Sequence, residues 1–81
     1  MAELKLAEIA IVVPHREKSA ASINDLLTQY GDYIIARMGV PHRQKQLSLI
    51  SIVMEAPAQV IEELGAKLGE IKNIQVQIIT I

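Results

Sequence analysis

At 81 residues without a cysteine, the chain has room for one domain, and it cannot use disulfides, thiolate metal ligands or a cysteine nucleophile. Hydrophobic residues make up 51% of it and aromatics only 2%, so the core must be built from Ile, Val, Leu, Met and Ala. A net charge of −1 lacks the basic excess of a nucleic-acid-binding face, and no apolar run approaches the roughly 18–20 residues that span a bilayer.

In chain order, Ala7 to Val13 is a β-branched run stopped by Pro14 and predicts a first strand. Arg16 to Tyr30 changes to a helical period: Ala20, Ile23, Leu27 and Tyr30 share one face, with Lys18, Asn24, Asp25 and Gln29 opposite. Gly31 then reads as the helix terminator. Tyr33 to Val40 and Gln46 to Glu55 predict two strands joined by a polar, proline-headed hairpin connection, Pro41 to Lys45. Pro57 suits the first turn of a second helix, whose apolar stripe is Ile61, Leu64, Leu68 and Ile71. Lys72-Asn73 turns into a last strand, Ile74 to Ile81, in which Ile74, Val76, Ile78 and Thr80 alternate with Gln75 and Gln77. The order βαββαβ over residues 1–81 predicts one α+β, ferredoxin-like domain. Its four-stranded antiparallel sheet would carry both helices on one face.

A sheet covered on one side should alternate apolar and polar residues along each strand. Gln46 to Met54 does not: Leu47, Leu49 and Val53 point one way, and Ile50, Ile52 and Met54 point the other. A domain this short buries only roughly 60–65% of its unfolded surface, so association would add stability. A homo-oligomer, dimer or tetramer, is therefore expected, with Leu47, Leu49, Ile50, Ile52 and Met54 as interface candidates. Met1-Ala2-Glu3 is acidic, and Pro14-His15 cuts short the apolar stretch before it. No signal peptide is read there, and a cytoplasmic location is expected.

Arg37-Met38-Gly39-Val40-Pro41-His42-Arg43, together with Gly65-Ala66-Lys67-Leu68-Gly69-Glu70-Ile71 ahead of Asn73-Ile74-Gln75-Val76, resembles a family named for proposed regulators of the iron-only hydrogenase system. The resemblance covers nearly the whole chain. It implies a free-standing ACT-like domain, similar to the ligand-binding half of nickel-responsive repressors, that oligomerises and binds small molecules between subunits. Those repressors use a histidine-rich, cysteine-containing site and a separate DNA-binding segment. This sequence has neither, so nickel sensing and direct DNA binding are not expected.

Among individual residues, His15 and His42 read as exposed loop histidines; without Cys or a His-x-x-x-His spacing, no metal site and no cofactor is expected from one chain. Two chains sharing histidines would be the exception. Pro14, His15 and Arg16, where the first strand gives way to the first helix, are ligand candidates. In ACT-like domains this loop borders the effector pocket, and Arg16 and Lys18 could assist an anion there. Arg37 sits within an apolar strand and has three roles open to it: pairing across an interface, protecting a sheet edge, or binding an acidic ligand. Gly39 is predicted to bend the strand end and joins Pro14, His15, Arg16 and Arg37 among the ligand-binding candidates, and Gly65 is predicted to permit close helix–sheet packing. No spacing suggests a Ser-His-Asp grouping or a carboxylate pair, so the chain is not expected to be an enzyme. The expected function is a small-molecule-responsive regulatory module without nucleic-acid or membrane contacts. The alternative is a structural subunit that binds a protein partner through its sheet.

Overall fold

The computed structural model describes residues 3–15 and 18–81. The elements follow as β1 (Leu4–Pro14), α1 (Ala20–Gln29), a 3₁₀ turn (Gly31–Tyr33), β2 (Ile34–His42), β3 (Leu47–Pro57), α2 (Ala58–Gly69) and β4 (Gln75–Thr80). The strands form one sheet in the order β2-β3-β1-β4, antiparallel at every junction. This is the expected ferredoxin-like arrangement.

Register decides which side chains meet. Ala7, Ile9 and Ile11 of β1 stand opposite Met54, Ile52 and Ile50 of β3. These rows form one cluster with Ile23 and Leu27 of α1 and with Ile61, Leu64 and Leu68 of α2. Each helix thus buries its 3.6-residue stripe against the same face of the sheet. Ile52 and Met54, named from the sequence as interface candidates, have 0% exposure within the single chain. They are core residues, because the helices lie over the even-numbered positions of β3.

Among the described residues, no layer covers the opposite face. That face carries Leu6, Ala10 and Val12 of β1, Leu47, Leu49 and Val53 of β3, and Met38 and Val40 of β2. Leu49 is 46% exposed and Met38 61%. Near its middle, Ser51 donates a hydrogen bond to Glu8 Oε1 at 2.7 Å.

Several boundaries shift for physical reasons. Gly31 does not end α1 in a left-handed conformation; it opens the 3₁₀ turn, and the Tyr30 N–H closes the helix on the Leu27 carbonyl at 3.2 Å. The expected helix start at Arg16 lies outside the described residues, and Lys18 and Ser19 are not helical. β2 continues through Gly39 and Pro41 to His42 instead of bending at Gly39. Proline is tolerated there because β2 is an edge strand. The hairpin is accordingly shorter than expected and closes through Gln46, whose φ of 51° puts it in the left-handed region.

Tyr30 joins the two helices. Its hydroxyl donates to Glu63 Oε1, and Lys67 lies 3.6 Å from that same oxygen, with its ammonium 5.3 Å from the centre of the Tyr30 ring. The Tyr30 hydroxyl, and after it Lys67, holds the Glu63 carboxyl below its usual range. Lys67 is raised above its usual value, first by Tyr30 and then by Glu63.

Candidate functional site

Beside α1, on the helix-bearing face of the sheet, lies a groove of about 440 Å³. It follows from short side chains and from where α1 starts. On β2, Arg37, Gly39 and Pro41 pair with Ile52, Ile50 and Ser48 and so point toward the helix side. A Cβ built on Gly39 would meet nothing within 4 Å, so the missing side chain leaves open space. On α1, Ala20 and Asn24 lie one turn apart and form the facing wall. Val13 and Pro14 close the groove from β1, and Ile50 contributes to its apolar lining.

Among the described residues, four polar side chains converge on this space. Arg37 Nη2 donates to Asn24 Oδ1 at 2.8 Å, linking edge strand β2 to α1. Thr28 donates to the Asn24 main-chain carbonyl at 2.8 Å, a contact that leaves the Asn24 side chain to Arg37. Across the groove, His15 Nε2 and Ser48 Oγ are hydrogen bonded at 3.1 Å. The His15 N–H donates to the Gln46 carbonyl at 2.9 Å and extends the β1–β3 ladder past Pro14. Among the described lining residues, Arg37 is the one arginine or lysine.

The structure therefore brings together Pro14, His15, Arg37 and Gly39, four of the five residues named from the sequence as ligand candidates. Arg16 lies outside the described residues. Ile50, named from the sequence as an interface candidate, is half-buried and lines the groove. His42 stands at the end of β2, where its Nδ1 accepts from the Lys45 N–H at 3.2 Å, and it does not reach the groove lining. No group of three or more His, Cys, Asp or Glu residues with metal-holding geometry occurs among the described residues. Sequence reasoning missed Asn24 and Ser48. Asn24 looked like part of a solvated helix face. Ser48 carried a signal: it is a hydroxyl on the same side of the strand as Ile50, Ile52 and Met54.

The family profile of "TM1266-like: Iron-only hydrogenase system regulator, putative" matches residues 5–78. The chain belongs to this family. Among solved structures it is similar to the uncharacterized protein TM1266 from Thermotoga maritima, with a TM-score of 0.92 at 30% identity over 98% of this chain and 99% of that one. A de novo designed protein, Foldit4, is similar in fold alone, with a TM-score of 0.59 at 20% identity over 98% of this chain and 97% of that one. No match is found among the curated proteins. The TM1266-like family is thus described as regulatory, and the segments that carried the resemblance fall within the matched span. No helix among the described residues is long and apolar enough to cross a membrane.

Proposed function

We infer that this TM1266-like chain is a non-catalytic, ACT-like regulatory module that binds a small effector in the groove between α1 and β2. The supporting observation is convergence. Residues selected from two separate segments of the sequence, Pro14-His15 and Arg37 with Gly39, line a single concave space with apolar walls and a few polar groups. A regulator needs a second arrangement for the effector to favour. The uncovered sheet face supplies a surface for it, because Leu49, Met38 and Val40 stand exposed there beside half-buried Val12 and Val53. On this reading two copies meet through that face, and a ligand at the α1–β2 seam alters how the sheets sit against each other. The family's regulatory description agrees with this role. The cytoplasm is the compartment that suits it.

Sedimentation velocity on the wild type, Leu49→Asp and Val53→Asp tests the assembly. The wild type should run as a dimer or larger, and each charged variant should run smaller while keeping the far-UV spectrum of the fold. A monomeric wild type would remove the oligomeric part of the reading. For the groove, thermal stabilisation by a metabolite set should be seen with the wild type and lost in Gly39→Leu. A stabilising metabolite that acts equally on Gly39→Leu would place the effector elsewhere.

A further inference from the structure

The groove specifies a ligand chemistry more closely than "small effector", and this inference rests on the reading of the groove as the effector site. We propose that it takes a small monocarboxylate with an apolar body, held through the Arg37 guanidinium.

Charge comes first. Arg37 is the one arginine or lysine among the described lining residues, and its side chain stands on the helix-facing side of β2. It has five N–H donors, and the structure occupies one of them, at Nη2, with Asn24 Oδ1. The planar fork matches the two oxygens of a carboxylate. Asn24 then has a second use: its carboxamide NH₂ provides donors beside the guanidinium, so an incoming carboxylate meets Arg37 from β2 and Asn24 from α1 at once.

The rest of the lining argues against a phosphate group. Phosphate sites are typically cradles of successive backbone N–H groups, often joined by more than one cation. Here Pro14 and Pro41 stand on the wall and have no N–H, and the described lining residues include no lysine. Val13, Val40 and Ile50 instead offer aliphatic surface to a hydrocarbon chain. The volume of about 440 Å³ falls near the lower end of the roughly 300–1,000 Å³ usual for small-molecule sites. Ser48 and His15 form the opposing polar corner and could accommodate one further oxygen, such as a keto or hydroxyl group.

The test is an amide-resolved NMR titration of the full chain with three probes at matched ionic strength: 4-methylpentanoate, its neutral amide, and inorganic phosphate. The acid should move the His15, Asn24 and Gly39 signals saturably. The amide should bind about tenfold more weakly or worse, as expected for loss of a charge-assisted pair. Phosphate should not compete. Arg37→Gln should weaken the acid about tenfold, and Arg37→Lys should recover part of that loss, restoring charge without the fork. Signals outside the groove should stay in place in both variants.

Equal affinity for acid and amide, or wild-type binding by Arg37→Gln, would overturn the carboxylate assignment and leave the groove as an effector site. Preferential phosphate binding would do the same. Failure of all three probes to move any groove signal would overturn both this assignment and the effector reading on which it rests.

Discussion

Two glycines mark the difference between the two sides of this domain. On one side α2 packs so closely on β4 that a Cβ at Gly65 would come within 2.7 Å of Ile78 Cδ1. On the other, a Cβ at Gly39 would project into open space between β2 and α1. The same absent side chain permits contact in one place and leaves a gap in the other. Beneath α2, Leu64 and Leu68 have no exposed surface, whereas along β2 only Ile34 is even half-buried. Close packing gives the fold its stability, and the part left loosely covered is the part available for binding.

The contrast can be tested most strongly at Leu64. Leu64→Ala, which empties the α2 side of the core, should cost about 2–5 kcal/mol in urea unfolding. A cost well under that range would mean that α2 is not the packed side. Next in size is Gly65→Leu, which overpacks the α2–β4 contact and should cost about 1–3 kcal/mol. Gly65→Ala should be milder, because the atom in the way is the tip of a side chain that can rotate, and the gain in helix propensity of about 1 kcal/mol opposes the crowding. Gly39→Leu should leave stability within about 0.5 kcal/mol of wild type while filling the groove. Equal costs at Gly65 and Gly39 would erase the distinction between the two sides.

The smallest effect concerns the Tyr30–Glu63–Lys67 clip between the helices. The folded Glu63 carboxyl titrates below its unfolded value, so its stabilising contribution is present above the ordinary carboxylate range and disappears as pH falls through the lowered folded value. Lys67 is shifted upward, so its contribution is present below its unfolded value and is lost only as alkaline pH passes the raised folded value. Tyr30→Phe should therefore be less stable than wild type at neutral pH, and the two should converge toward acid. Unfolding curves collected between pH 3 and 7 would check this. A gap that stays constant across that range would assign the loss to packing instead of to the hydrogen bond.

Much of the fold was legible because periodicity reports burial. The 3.6-residue stripes of both helices and the period of two in β4 placed the elements in order, and Gly65 correctly signalled a close approach. What could not be read was which face of β3 the helices cover, because both faces are apolar. Leu49 and Ile52 are equally hydrophobic, yet one is exposed and the other buried, and only the register against β1 and the placement of the helices decides between them. The end of β2 was misread because Pro41 is normally a turn signal, and its tolerance in an edge strand depends on strand order, a tertiary property. The candidate site was legible residue by residue but not as a site. Pro14 and His15 drew notice at a strand–helix junction, and Arg37 did so as a cation in an apolar strand. Their proximity arises from the β1–β3–β2 pairing, and Asn24 joins them because α1 lies beside β2.

Pro41 has a consequence for how the protein behaves at high concentration. A sheet grows without limit when an outer strand offers another chain an unbroken row of N–H and C=O groups, which is how fibrils recruit. On the β2 margin that row is interrupted by an imino acid, and the guanidinium of Arg37 adds charge to the same strand. A chain that is half hydrophobic thus presents an apolar face broadside while its β2 margin resists templated addition. Broadside stacking of two sheets closes on itself, whereas margin-to-margin addition does not. Replacing Pro41 with a β-branched residue such as Val would repair the row, and it is the single change most expected to turn a soluble preparation into one that slowly forms thioflavin-positive aggregates.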